Sequence, residues 1–181
     1  MKTVKLIAIA SLMQASLAAA ALAAPVKIGF ISTFSGPGSV LGQDQYDGFM
    51  LAVEQGKGKL GDTDIEIVKE DDQMKPEVGV QIARQMLQRD KVSIVTGVIY
   101  SNVMMAIHRP ITSGEVFFVG SNAGPTPVTG KGCSPYFFST SWNNDQLHEA
   151  GGELTNKMGF KNVYLMAANY QAGKDALEGF K

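Results

Sequence analysis

The sequence predicts an α/β fold, a parallel sheet with helices on both faces, and three observations carry that reading. Short apolar, β-branched runs alternate with segments of helical periodicity from Val26 onward, which requires crossover connections between parallel strands. Within Val92 to Ile111 the hydrophobic period itself changes. Val92, Ile94 and Val95 form a strand-like run, Gly97 interrupts it, and Val103, Met104, Ile107 and Ile111 then recur at helical spacing. The strands also run into polar loops of small residues, at the end of a parallel sheet where ligands bind.

The first 23 residues stand apart from this pattern. Lys2 and Lys5 precede the apolar run Leu6 to Met13 and the small-residue tract Ala15 to Ala24, the grammar of a secretory signal. Cleavage after Ala23 puts Ala21 and Ala23 at the two small-residue positions. The strongly apolar part is shorter than the roughly 20 residues needed to span a bilayer, so residues 1–23 read as a cleaved signal and the mature chain as soluble outside the cytoplasm. No cysteine near the cut offers a site for lipid attachment.

Val26 to Ser32 is expected to form a buried first strand, and Thr33 to Gly42 a turn-rich loop containing Ser35, Gly36, Pro37, Gly38 and Ser39. Tyr46, Phe49, Met50 and Val53 mark the following helix, which ends in the Gly56 to Gly61 region. Ile65 and Ile67 alternate with charged residues, as in a half-exposed strand toward the sheet edge. Pro76 and Glu77 open the next helix; Val78, Ile82, Met86 and Leu87 form its inward face, with Arg84 and Arg89 toward its end.

Ser101 then falls at the expected N-cap of the Val103 to Ile111 helix, and the turn Val98 to Asn102 can receive an anion on free first-turn amides. Two readings remain open from these residues: Ser101 and Tyr100 serve a ligand, or Ser101 caps its helix and Tyr100 covers an edge. Pro110 is expected to end or kink this helix near Arg109. Val116 to Val119 is a fourth strand, and Ser121 to Thr126 after it forms a second wall of a pocket. Tyr136 to Ser139 is a further strand. Ser141 to Gln146 opens a helix with Leu147, Gly151, Leu154 and Met158 on one face, and Asn143 with Gln146 resembles a capping pair. Asn162 to Ala168 is expected as a strand, Asn169 to Gly173 as a polar loop, and Asp175 to Phe180 as the start of a helix. The expected organisation is therefore one α/β unit over residues 24–141, with the incomplete start of a second strand-helix unit over 142–181.

Composition excludes several functions. With 181 residues, 45% hydrophobic content and a net charge of -1, the chain lacks the basic excess of a nucleic-acid binder. Cys133 is its only cysteine, so no disulfide forms within the sequence; it reads as a small packed residue. Gly36, Gly38 and Gly42 are spaced one residue too long for a dinucleotide loop, and Pro37 removes a donor there. No nucleophile elbow, phosphate-loop lysine or zinc-protease helix motif is present. His108, His148 and Cys133 lack metal-ligand spacing, and the two histidines read as helix-surface residues. Glu70, Asp71 and Asp72 read as a solvated turn. Trp142 either stacks on a flat ligand or packs in the core. These residues propose no reaction, metal or cofactor.

The stretches VKIGFISTFSGPGSVLGQ, VTGVIYS, SNAGPTPVTG, YFFSTSWNNDQ and YLMAANYQAGKD, in this order, carry a resemblance. Over essentially its whole mature length the chain resembles the periplasmic substrate-binding proteins of ABC transporters, in the branched-chain amino acid (leucine-binding-like) family. The resemblance implies a type I periplasmic binding protein fold of two α/β lobes joined by three crossings, of which this chain supplies the first lobe and the start of the second. It implies no enzymatic activity and no cofactor. It also implies capture of a small organic solute, delivered to a membrane permease powered by a cytoplasmic ATPase. First-lobe contacts then fall on Ser35, Tyr100, Ser101, Ser121, Asn122 and Ala123, and Tyr170 matches a second-lobe tyrosine that covers the ligand. Ser139 to Asp145 matches the first crossing. Amino-acid binders carry an alanine-alanine-threonine run where this chain has Ala123-Gly124-Pro125, and proline donates no hydrogen bond. Relatives with loops of this kind take aromatic or other organic carboxylates. The ligand expected is thus a branched-chain or related amino acid or such a carboxylate. The alternative is the ligand-sensing domain of a signalling receptor with the same fold.

Overall fold

Phe30 and Ile31 are neighbours on the first strand, β1 (Val26–Ser32), and both are buried, so this strand must be covered on both faces. The computed structural model, which describes residues 24–181, shows how. Phe30 packs against Tyr46 and Phe49 of helix α1 (Ser39–Gln55), with ring centroids 5.0 and 5.1 Å away. Ile31 turns the other way. It joins a core with Ile82 and Ala83 of α2 (Pro76–Gln85), Met86 of the wider π turn that follows, and Val103, Met104, Ile107 and Ile111 of α3 (Ser101–Thr112). The expected signal peptide, residues 1–23, lies outside the described residues.

The remaining strands are β2 (Lys59–Leu60), β3 (Thr63–Asp71), β4 (Ile94–Gly97), β5 (Phe117–Gly120) and β6 (Phe137–Ser139). They form one six-stranded sheet in the order β2-β3-β1-β4-β5-β6. Every pairing is parallel except the two-residue antiparallel edge between β2 and β3. The chain leaves β1 toward β3, then returns past it to β4, so the winding reverses between β1 and β4. That reversal opens a crevice at the carboxyl ends of the strands.

Several elements differ from the sequence expectation. Helix α1 begins at Ser39, straight after a short 3-10 turn over Gly36–Gly38, so the expected loop is shorter than Thr33 to Gly42. Gly42 permits this. A Cβ there would lie 1.9 Å from the Thr33 carbonyl oxygen, so only glycine lets the first turns of α1 lie directly on the chain leaving β1. Helix α3 continues through Pro110 to Thr112: the last turn buries Ile111, and the Thr112 hydroxyl donates to the His108 carbonyl at 2.8 Å. His108 faces inward rather than sitting on the helix surface; it is 4% exposed and meets the Phe137 ring edge-on at 5.0 Å. Its burial, with Arg109 alongside, pushes the imidazole pKa down. Cys133 is exposed, not packed, because it lies on the loop before β6. Trp142 is also exposed, on the segment between β6 and the next helix.

Beyond the sheet lie the one-turn helix α4 (Thr126–Thr129), then α5 (Gln146–Lys157) and α6 (Gln171–Phe180). Asp145 caps α5, accepting from the Gln146 amide at 3.0 Å, while the Asn143 amide donates to Gln146 Oε1 at 3.1 Å. The expected pairing of Asn143 with Gln146 is therefore present, with the N-cap two residues later. The expected strand over Asn162 to Ala168 does not form. A strand is held by its neighbours, and among the described residues none lies beside this segment.

One position predicts a gain in stability. Gly48 sits in the middle of α1, and a Cβ built there meets nothing within 4 Å. Gly48→Ala should raise stability by about 0.5 to 1 kcal/mol, since alanine keeps the helix and loses less backbone freedom on folding. Urea denaturation of the two forms measures this, and an unchanged or lower midpoint would contradict it.

Candidate functional site

The parallel sheet directs four loops to one end, and their first contacts are with each other. After β3, the Asp72 amide donates to the Ser32 carbonyl at 2.9 Å. The Asp72 carboxylate accepts from the Thr33 hydroxyl and from the Met74 amide. Asp71 accepts from the amides of Phe34 and Gln73 at 2.8 and 2.9 Å. Glu70 accepts from Gln85 Nε2 at 3.1 Å. These carboxylates are thus loop fasteners, not the solvated turn expected, and Asp72 is fully buried. Burial pushes the Asp72 carboxyl up, with the Thr33 and Met74 hydrogen bonds opposing it and Asp71 adding to it. For Asp71 burial acts upward too, but the combined hydrogen bonds from Ser35, Phe34 and Gln73 hold its carboxyl below the usual range.

After β4 the chain turns sharply. The Val98 amide donates to the Ile31 carbonyl at 2.7 Å, and the Val98 carbonyl accepts from the Ala123 amide at 3.2 Å. Val98 is fully buried at φ +69°, a left-handed conformation that a β-branched residue adopts only when its surroundings impose it. This turn presents Tyr100. A Cβ on Gly38 would lie 2.6 Å from the Tyr100 hydroxyl oxygen, so the ring reaches across the reversal point to the loop after β1.

Opposite stands Tyr170, the residue before α6. The two rings meet edge to face, centroids 6.2 Å apart at 61°, and burial with Tyr100 nearby pushes the Tyr170 phenol pKa up. Beside this pair lies a cleft of about 470 Å³ lined by Met74, Tyr100, Asn102, Ala168, Asn169 and Tyr170. That volume suits a small organic molecule. A cavity of about 490 Å³ elsewhere is bordered by Asp145, Glu149, Asp175 and Glu178. Its four carboxylates against the single cation Lys131 disfavour an anion.

Of the residues singled out in the sequence, Tyr100 and Tyr170 line the cleft. Ser121 and Asn122 are exposed on the loop after β5, where Ser121 Oγ accepts from Gln45 Nε2 at 2.8 Å. Ser35 is exposed and donates to Asp71. Ala123 is buried, and its amide is committed to Val98, so the backbone donor expected there is already in use. Ser101 is the first residue of α3, one place inside the expected cap; it is 2% exposed and its hydroxyl oxygen accepts from Asn144 Nδ2 at 3.1 Å. Asn102 falls in the turn expected to receive an anion and Asn169 in the expected polar loop, while Met74 and Ala168 carry no such signal. Met74 could still be found by its position after a strand of a parallel sheet. The segment at Ala168 and Asn169 approaches only through tertiary packing.

Comparison with known proteins agrees with this architecture. A family model described as periplasmic binding protein matches residues 25–181. The Leu/Ile/Val-binding protein homolog 6 of Brucella abortus (strain 2308) is 31% identical over 179 residues, covering 98% of this chain. The chain spans 45% of the length of that relative. Among solved structures, an R. palustris ABC-transporter solute binding protein in complex with benzoate superimposes with a TM-score of 0.82 at 30% identity, covering 87% of this chain and 44% of that one. A second R. palustris solute binding protein, in complex with 4-hydroxybenzoate, gives 0.78 at 27% identity over 87% and 42%.

Proposed function

The chain belongs to the periplasmic binding protein family, and from that premise we propose that it provides the first lobe, residues 24–141, and the start of the second lobe of a solute-binding protein. That protein captures an aromatic carboxylate in the periplasm and passes it to an ABC-transporter permease. The observation that carries the ligand class is the cleft itself, about 470 Å³ with the touching rings of Tyr100 and Tyr170 in its lining. Two tyrosine rings offer edges and faces to a flat ring, and their hydroxyls offer donors to its substituents. The Gly124-Pro125 step in the loop after β5 favours the same class, as do the relatives bound to benzoate and 4-hydroxybenzoate. The periplasmic binding protein family binds its ligands rather than transforming them.

Titration calorimetry of the full-length protein with benzoate, 4-hydroxybenzoate, leucine and isoleucine tests this. Aromatic acids should bind and the amino acids should bind more weakly or not at all. Tight leucine or isoleucine binding with none for the aromatic acids would replace the proposal with amino-acid transport.

Ser121 provides a finer test. Its oxygen already accepts from Gln45, so its one hydrogen is free to donate to a carboxylate. Ser121→Ala should leave the exposed loop folded and weaken binding roughly tenfold or more, the size of a hydrogen bond to a charged group. Unchanged affinity would take this loop out of the site.

A further inference from the structure

Asn144 lies on the crossing between the lobes and makes hydrogen bonds in three directions. Its backbone amide donates to the Gly124 carbonyl at 2.8 Å, in the loop after β5. Its side-chain Nδ2 donates to Ser101 Oγ at 3.1 Å, at the start of α3, and to Asp175 Oδ2 at 2.9 Å, on α6. A carboxylate only accepts, so Asp175 settles which end of the carboxamide faces it: the NH2 end. The other two bonds tie Asn144 to the first lobe. Asp175 tethers the opposite side. It is 7% exposed, and Oδ2 also accepts from the Thr126 amide at 3.2 Å, while Oδ1 accepts from Gln171 Nε2 at 2.7 Å within its own helix.

We propose that Asp175 and Asn144 form an interlobe clasp, in which the Asp175 carboxylate docks on the Thr126 amide and the Asn144 side chain when the lobes approach and releases both when they part. The proposal rests on the two-lobed reading above. Its logic is electrostatic. Asp175 has no salt bridge to a cation among the described residues, and its two partners across the junction are neutral. A carboxylate held by neutral donors gains charge-assisted hydrogen bonds on docking and regains hydration on release, so the two states stay close in free energy. The Gln171 bond survives in both, because it lies within α6, and keeps the carboxylate aimed at its dock. Ser101, expected as an open cleft contact, becomes one of the anchors of the clasp, and the loop carrying Ser121 and Asn122 is tied to it through Gly124. Lobe movement and the candidate ligand loop therefore share one residue, Asn144.

The test uses the full-length protein without ligand, so it does not depend on which solute binds. Spin labels on cysteines introduced at the exposed sites Gln55 and Lys174, in a background where native cysteines are replaced, report the distance between the lobes. Asp175→Ala and Asn144→Ala should each deplete the short-distance population, and the double variant should deplete it no further, because the two act through one contact. Asp175→Asn should deplete that population less than Asp175→Ala, since its carboxamide oxygen can still serve Thr126 and Asn144 while Gln171 turns its own carboxamide over, but without the charge. Alanine variants with lowered melting temperature but an unchanged distance distribution would reduce both residues to ordinary packing and overturn the clasp. So would additive depletion in the double variant. Failure of every carboxylate to bind, with the distance changes as expected, would overturn the ligand class and leave the clasp standing.

Discussion

Gly97→Ala is expected to destabilise the first lobe by about 2 to 6 kcal/mol, combining the strain of an L-residue in a disfavoured backbone region with overpacking against backbone. Gly97 is the last residue of β4, paired in register with Ile31, and has φ +105°. A Cβ there would lie 2.2 Å from the Ile31 carbonyl oxygen. That oxygen is not free to move, since it accepts the Val98 amide in the hydrogen bond that starts the turn. Relief of the clash must pull β4 from β1 or unwind the turn, and either moves Tyr100. Native domains are stable by only about 5 to 15 kcal/mol, so such a loss is a large share of the total. Denaturant midpoints of the variant measure it, with Gly48→Ala as a control of identical chemistry and opposite sign. A loss under about 1 kcal/mol, below the strain range for one such residue, would mean that the turn after β4 adapts freely and is not the rigid support described here.

The parts of this fold legible in the sequence are those written in local periodicity. Val92 to Ile111 reads directly as a strand and a helix because Val95, Val103, Met104, Ile107 and Ile111 are all buried on the faces their spacing assigns. The half-exposed alternation of Ile65 and Ile67 places β3 next to the edge, where the sheet has it. The cleft was legible only as a place, the strand ends, and as two of its walls, Tyr100 and Tyr170. What was not legible depends on distant partners. Asp72 looks like a solvated acid until Thr33, 39 residues earlier, donates to it from the end of the neighbouring strand. Asn144 looks like a helix-opening residue until Ser101 and Asp175, 43 and 31 residues away, take its side chain from both sides. His108 falls on a helix whose composition does not reveal that Phe137 covers it.

The other large effect concerns the polypeptide of residues 24–181 taken alone, which is expected to show almost no ligand-dependent rise in melting temperature. Its first lobe has a continuous core on one sheet face and an aromatic cluster on the other. The segment after Asp145 does not. Leu147, Leu154, Met158 and Phe160 are 56%, 58%, 61% and 56% exposed, and Tyr164 and Met166 reach 92% and 88%. Helices α5 and α6 pack on each other around Gly151, Gly152 and Phe180, which leaves the apolar residues Leu147 and Leu154 of α5 and the segment after it uncovered. An uncovered face of this kind favours association with other molecules. If the ligand binds as proposed above, such a face also fails to hold Tyr170 firmly against it, and affinity from enclosure between two lobes is lost. In the two-lobed protein, a ligand at one hundred times its dissociation constant stabilises the native state by about 2.7 kcal/mol, which a thermal melt resolves easily. Residues 24–181 should instead melt at a ligand-independent temperature and form soluble oligomers or precipitate as concentration rises. A shift equal to that of the two-lobed protein, from a monomeric 24–181 polypeptide, would place the whole binding site on the first lobe and remove Tyr170 and the clasp from the account of affinity.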